Sequence, residues 1–372
     1  ILIDEYDKPI LDNITNKEMA LVARNLLKSF YSVIKEHDHY IQFVFITGVS
    51  KFSKMNLFSG LNNLIDITTY SDYATLCGYT HYDIQSQFAE HLQGVDLDKV
   101  KQWYNGYNYY PDCQECAVYN PYDILLFINN HCEYENYWWA TGNPSFLIKK
   151  LAEQNYYIPN LENIIVSKET LDTFDIEKID LVALLWQTGY LTFAQKIQNF
   201  DDSYDYQLKV PNREIQKSLN QLFINYLTDQ AVDSLARQKE IYQAISGDIS
   251  QLEGIFNALF ATIPYHNYAN KIIAHYEGYY ASVVFTYIMS LGFPCIAEDV
   301  TNRGRIDLTV KLPGRIIIIE FKVDKDEQAL AQIKAKKYYE KYQHQGQEIY
   351  IVGISFDSEQ KNISDYQWQK IV

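Results

Sequence analysis

The stretch from Arg305 to Lys322, RIDLTVKLPGRIIIIEFK, constrains the chain more than any other. It reads as two strands joined at Pro313-Gly314, the first alternating (Ile306, Leu308 and Val310 against Arg305, Asp307 and Thr309), the second a fully apolar run. A two- or four-residue loop centred on Pro313-Gly314 pairs Leu312 with Arg315. Counting outward, Asp307 then falls opposite Glu320, with Lys322 two residues on and on the same face. The second strand, otherwise Ile316 to Ile319 and Phe321, has the composition of a central, buried strand. An ionised Glu and Lys are costly there unless they serve each other or a metal. A three-residue loop would slip the register by one and put Asp307 and Glu320 on opposite faces.

With 372 residues and 47% hydrophobic content, the chain has room for two or three packed domains. It opens on ILIDEYDKPI, in the middle of an apolar strand, with no initiator Met, charged n-region or cleavage site, which predicts a chain whose true N-terminus is missing. No apolar run reaches the roughly 18 residues of a membrane span. The five Cys (77, 113, 116, 132 and 295) are too scattered for a disulfide framework, so a reducing cytoplasm is expected. The net charge of −15 argues against a phosphate-rich partner. Residues 271–372, however, hold 13 Lys+Arg and 13 Asp+Glu, so the whole excess lies in residues 1–270 and says little about the C-terminal region. The 33 Tyr are read chiefly as half-exposed filling and secondarily as stacking platforms for bases.

At the N-terminus, Ile1 to Asp4-Glu5 is an apolar strand ending in two carboxylates, the pattern in which an Asp holds Mg²⁺ and a Glu polarises water. A helix from about Asn16 to Lys35 follows, then a buried strand, Ile41 to Thr47, ending in Gly48-Val49-Ser50. This α/β unit carries polar residues at its strand ends, where open α/β sheets bind ligands. DEYDKPI followed by FITGVSKFSKMNLFSGLNNLIDIT resembles the AAA-ATPase-like family of bacterial proteins. By that resemblance Asp4 and Glu5 are the Walker B pair, and Thr47 or Ser50 stands at a polar sensor position. No G-x-x-x-x-G-K-[ST] occurs in the 372 residues, so no backbone cradle for the β and γ phosphates is present. ATP is therefore a cofactor only if a segment N-terminal to Ile1 supplies that loop. The readings are a truncated working ATPase and a degenerate, structural sheet.

Further along, Thr80 and Asp83 form a capping box opening a helix with Ile84, Phe88 and Leu92 inside. Trp103-Tyr104-Asn105-Gly106-Tyr107, Val118-Tyr119-Asn120-Pro121-Tyr122 and the YWWATGNPSF run from Tyr137 match signatures of the same family. Their aromatics are expected to pack the edge of its core. Cys113-Gln-Glu-Cys116 with His131-Cys132 admits a zinc reading, but only one half has ligand spacing and His131-Cys132 ends a helix (Asp123 to Asn130), which favours a plain polar loop. His37-Asp38-His39 reads as a solvated connection. A helix (Ile179 to Gln187), a hairpin ending in the strand Tyr206 to Val210, and a helix near Glu214 resemble a winged-helix module. Asp201, Asp202 and Asp205 at its tip would repel phosphate, which favours a lid or spacer. Residues 231–270 read as two helices.

Around the opening hairpin, His275 to Ser290 reads as an amphipathic helix containing Glu277. Glu327 to Tyr342 reads as a helix placing Gln332, Lys336 and Tyr339 along one side, and Glu348 to Ser355 as a strand. Helix, strand, strand, helix, strand with Glu277, Asp307, Glu320-Phe321-Lys322 and Gln332 looks like the PD-(D/E)XK nuclease superfamily, over roughly residues 265–355. The resemblance implies that Asp307 and Glu320 bind Mg²⁺ (or Mn²⁺), Glu277 supports the metal, Lys322 orients or activates water, and Gln332 is the superfamily's helix glutamine. The chemistry agrees: phosphodiester hydrolysis needs a cation, Mg²⁺ prefers one or two carboxylates plus waters, and a buried ammonium shifts its pKa readily. The plainer alternative is a structural Glu-Lys ion pair, which does not ordinarily recruit a second carboxylate. Lys334, Lys336, Lys337 and Lys341 are either a phosphate-backbone contact or solvated helix surface.

The expected fold is α/β and multidomain: an AAA-type parallel-sheet core without its phosphate loop (1–150), a winged-helix-like lid (151–235) and a PD-(D/E)XK nuclease-like domain (236–372). The expected function is Mg²⁺-dependent hydrolysis of nucleic acid. The alternatives are a nucleotide-dependent regulatory ATPase whose C-terminal domain binds a partner or nucleic acid without cleaving it, and a structural scaffold. Nucleic acid is the expected partner and a membrane is not, with self-association through the ATPase-like region a further expectation.

Overall fold

The computed structural model describes residues 1–14, 16–50, 64–138, 164–172, 180–228, 234–263, 277–324 and 328–372, with only the backbone of Gln114 and Glu277. The YWWATGNPSF run beyond Trp138, residues 51–63 of the N-terminal motif, and His275 and Glu327 lie outside the described residues. The chain divides into two compact units, Ile1–Leu151 with Asn163–Gln216 and Ala152–Glu162 with Lys217–Val372, each of mixed α/β structure. The helix–hairpin–helix segment of the expected lid therefore falls in the first unit as far as Gln216.

In the first unit, β1 (Leu2–Ile3) pairs in parallel with β2 (Phe45–Ile46), and α1 (Lys17–Glu36) runs between them in sequence. Asn16 caps α1 by accepting the Met19 N–H, which is why the helix starts there. The strand expected from Ile41 to Thr47 is shorter and less buried: Phe43 is 62% exposed and β2 spans two residues. The Thr80–Asp83 capping box is present and opens α2 (His81–Ser86), which stops at Ser86 instead of running to Leu92. Ile84 and Leu92 are nevertheless buried, in an aromatic cluster with Trp103 and Tyr104 of α3 (Leu97–Tyr104) and Phe127 of α4 (Pro121–Asn129). His131 and Cys132 follow α4 in left-handed backbone.

Cys113 and Cys116, expected to lie in a plain polar loop, are joined as a disulfide. β3 (Ile165–Ser167), α5 (Leu181–Gln187), and the antiparallel hairpin of β4 (Thr192–Gln198) and β5 (Tyr204–Lys209) give a small sheet of order β3-β5-β4. Asp201 and Asp202 lie at its hairpin tip, and Asp205 lies within β5. The unit ends in the first turn of α6 (Arg213–Thr228).

The second unit contains the two helices expected before residue 270, α7 (Ser234–Ser246) and α8 (Leu252–Thr262), then α9 (Glu277–Ser290). α9 is not amphipathic: Tyr279 to Met289 are buried throughout, as an element covered on all sides requires. Five strands follow, β6 (Cys295–Thr301), β7 (Gly304–Leu312), β8 (Arg315–Val323), β9 (Glu348–Asp357) and β10 (Asn362–Lys370), in spatial order β10-β9-β8-β7-β6. β8 is the central strand and pairs in parallel with β9, the crossover running through α10 (Ala329–Lys336). Ile316 and Ile318 of β8, Leu330 and Ile333 of α10, and Ile349 and Ile351 of β9 close a core on one face.

Two elements of this domain differ from the sequence reading. β6 and β10 widen the three expected strands to five. The helix expected to reach Tyr342 breaks at Lys337, whose left-handed backbone (φ 50°, ψ 42°) turns the chain into a 3₁₀ segment, Tyr338–Lys341. That break takes Tyr339 off the α10 face and turns Tyr338 inward, buried in the core.

Candidate active site

The hairpin register decides the site, and Pro313-Gly314 decides the register. Gly314 has φ 79°, the positive value a type II turn requires of its third residue, and Leu312 pairs with Arg315. The two-residue loop is therefore present and the one-residue slip is not. The ladder runs from there to Leu308–Ile319 and stops. Where it stops, Asp307 Oδ2 accepts the main-chain N–H of Phe321 at 2.8 Å, a side chain standing where the next main-chain acceptor would be. Ladder, register and side-chain bond together bring Asp307 beside Glu320.

Glu320 is 1% exposed and Lys322 6%, both on the most buried strand of the sheet. Lys322 Nζ lies 3.4 Å from Glu320 Oε1, and the Gln332 side-chain amide donates to the same oxygen. Glu320 Oε2 is buried with no hydrogen-bond partner among the described residues. Burial first, and the Asp307 carboxylate second, push the Glu320 carboxyl above its usual range, while Lys322 pulls it down. Its environment stabilises the charged form only in part.

Gln332 reaches Glu320 because α10 seats closely on β9. Gly353 is the β9 partner of Glu320, and a Cβ at Gly353 would stand 2.3 Å from the Leu330 main-chain nitrogen. Only a residue without a side chain lets the helix approach that far. Tyr338 shares a hydrogen bond with Gln332, and its hydroxyl is held above the usual tyrosine range by burial and then by Glu320. Sequence reasoning missed Tyr338 because helical spacing from Gln332 selects Lys336 and Tyr339. The signal was absent, since a left-handed Lys337 leaves no mark in composition.

Glu277 begins α9, and its side chain lies outside what is described. Among the described residues no three His, Cys, Asp or Glu side chains converge as a metal cluster. The donor set is thus two carboxylates, one with an unpartnered buried oxygen, beside an ammonium. Two hard oxygen donors suit Mg²⁺ or Mn²⁺, which keep several waters.

In the first unit, Asp4 and Thr47 meet: the Thr47 hydroxyl donates to Asp4 Oδ1 at the ends of β1 and β2. Glu5, with φ 50°, is exposed and lies 3.8 Å from Lys8. Ser50 is not beside Asp4. It donates through its main chain and hydroxyl to Asp7, a fully buried carboxylate that also accepts the Val49 N–H at 3.2 Å and so anchors the Gly48-Val49-Ser50 turn. Asp7 was legible only as the third acid of DEYD.

These two places coincide with what comparison with known proteins shows. The family model described as PD-(D/E)XK nuclease superfamily matches residues 275–366, and one described as "Predicted AAA-ATPase" matches residues 1–58. The chain belongs to the AAA-ATPase-like family and carries a PD-(D/E)XK nuclease superfamily domain. It is 43% identical over 369 residues, 98% of this chain and 70% of the other, to an "Uncharacterized protein in vnfD 5'region" of Azotobacter chroococcum mcd 1. No solved structure matches the chain. No helix among the described residues is long and apolar enough to cross a membrane.

Proposed function

We propose that the C-terminal domain is a divalent-metal-dependent nuclease that hydrolyses phosphodiester bonds of nucleic acid. The observation that carries this reading is Glu320: a buried carboxylate with a lysine and a glutamine on one oxygen and nothing on the other, beside a second carboxylate. A structural ion pair would satisfy both oxygens, because an unpaired buried oxygen costs on the order of 1–3 kcal/mol.

Asp307 and Glu320 would hold the metal, with Glu277 as a third candidate ligand on α9. Bound there, Mg²⁺ or Mn²⁺ supplies charge neutralisation at the phosphate and lowers the pKa of water. Lys322 and Gln332 fix Glu320 in one orientation, and Lys322 also provides a proton-bearing group at the edge of the carboxylate pair. Buried on β8, neither Glu320 nor Lys322 has freedom to reorganise, the property a preorganised site needs.

The test is hydrolysis of a panel of labelled single- and double-stranded DNA and RNA with Mg²⁺ or Mn²⁺, comparing the wild type with Lys322→Ala. Loss of cleavage on the order of 10²-fold or more is expected. Cleavage untouched by the substitution would show that the activity comes from a contaminant and defeat the reading.

A second reading has one observation behind it. The Asp4–Thr47 contact at the ends of two parallel strands is the arrangement a nucleotide-binding core uses at its metal side, which supports a regulatory ATPase with a nucleic-acid-binding C-terminal domain. The 372 residues contain no phosphate loop, so this function requires one from outside them.

A further inference from the structure

Two basic side chains near the C-terminal site are already committed to acids. Lys341 donates to Asp299 and to the Val300 carbonyl, and Asp299, 3% exposed, also takes hydrogen bonds from Thr309 and Tyr342. That acid is fixed from three sides and cannot step aside. Arg305 is paired with Glu298.

Arg303 and Lys337 differ. Both lie against one carboxylate, Glu340: Arg303 Nη2 is 3.2 Å from Oε2 and Lys337 Nζ 3.7 Å from Oε1. All three side chains are between 40% and 51% exposed, and no other hydrogen bond holds Glu340's carboxylate among the described residues. Exposed pairs of this kind contribute little, roughly 0–1 kcal/mol, so Glu340 can be displaced at small cost.

The positions of the two cations are fixed more firmly than their partner. Arg303 precedes Gly304 in the turn between β6 and β7, and Lys337 precedes Tyr338 at the break of α10. Gly304 (φ 142°) and Tyr338 meet closely: a Cβ at Gly304 would stand 2.9 Å from the Tyr338 hydroxyl. Tyr338 in turn is hydrogen-bonded to Gln332, which touches Glu320. One contact therefore brings the main chain of Arg303 and of Lys337 together beside the residue that bonds Gln332, and Lys337 holds the left-handed backbone that ends α10.

We propose that Arg303 and Lys337 form a clamp for a backbone phosphate of the nucleic acid, next to the phosphodiester being cleaved, with Glu340 holding its place in the free protein. A carboxylate and a phosphodiester present the same pair of oxygens to a guanidinium fork, and the phosphate carries its charge on a polymer whose counterions are released on binding. The clamp rests on the nuclease reading.

It is tested by fluorescence anisotropy with a labelled DNA duplex, a DNA single strand and an RNA single strand, with Ca²⁺ in place of Mg²⁺ to keep a divalent cation present while suppressing cleavage, over a series of salt concentrations. Arg303→Ala and Lys337→Ala should each weaken binding several-fold and reduce the slope of log affinity against log salt by about 1. Glu340→Gln should tighten binding, because the competitor for the clamp loses its charge. A wild-type affinity and slope in both alanine variants overturns the clamp and leaves the nuclease reading standing. Binding by Glu340→Gln no tighter than by the wild type overturns the place-holder role. No binding of any probe by the wild type overturns the nuclease reading and the clamp with it.

Discussion

The protein brings two pairs of carboxyl groups together, one with both members buried and one with only Glu320 buried, and treats them in opposite ways. In the first unit Asp123 of α4 and Glu214 of α6 are both fully buried and lie within hydrogen-bonding reach of each other. Glu214 Oε1 also accepts the Trp138 N–H at 2.7 Å, and burial pushes both carboxyls up. Apart from Glu214, neither oxygen of Asp123 has a hydrogen-bond partner among the described residues, and one proton shared between the acids joins one oxygen of each. In the second unit Asp307 and Glu320 are brought together with Lys322 and Gln332, and one oxygen is left over. The first pair is joined by a proton. The second has a cation and an orienting amide on one oxygen and leaves the other open. Burial of acids is therefore not in itself the mark of a site; the mark here is the ammonium and the amide set on one of the acids.

The comparison is broken most directly by removing one acid from each pair. Glu320→Gln should lower nuclease activity on the order of 10²-fold or more, since a ligand charge is lost. It should leave the thermal midpoint unchanged or raised, because the repulsion from Asp307 goes with the charge. Glu214→Ala should do the reverse in stability. It strands Asp123 and the Trp138 N–H and leaves a cavity, a loss of about 2–4 kcal/mol measurable by urea unfolding. Equal destabilisation by the two substitutions would erase the distinction between site and lock. Between these extremes lies Gly353→Ala. The new Cβ meets the Leu330 main chain, which cannot yield as a side chain could, so α10 must shift and carry Gln332 away from Glu320. A cost of about 1–3 kcal/mol and a fall in cleavage are expected together, measured by thermal unfolding and by the same nuclease assay.

Much of the second site was legible because its determinants are local. Pro313-Gly314 sets the loop, the loop sets the register, and the period of a strand carries Asp307, Glu320 and Lys322 to one end. What was not legible depends on events that composition does not record. The helix break at Lys337 moved Tyr338 inward in place of Tyr339, and the strands β6 and β10 went unassigned because Glu298-Asp299 and Asn362 to Lys370 carry no apolar run. The Asp123–Glu214 pair could not be seen at all: its members are 91 residues apart, and only the packed core shows that neither reaches water.

The smallest effect is also the cleanest test of the proton in that pair. Both carboxyls have raised folded-state pKa values, so the folded protein binds more protons than the unfolded chain once the pH exceeds the ordinary carboxyl range near 4. Stability from the pair is then full at acid pH and falls as pH rises through the folded-state values, with a slope that linkage fixes at up to about 1.4 kcal/mol per pH unit for one proton. Glu214→Gln keeps an acceptor for the Trp138 N–H and gives Asp123 a permanent donor in place of the proton. Denaturant midpoints of the first unit, followed from mildly acid to mildly alkaline pH, should therefore decline in the wild type and flatten at the alkaline end in Glu214→Gln. The same decline in both proteins would mean that the proton is not shared there, and the contrast between a closed pair and an open one would lose its first member.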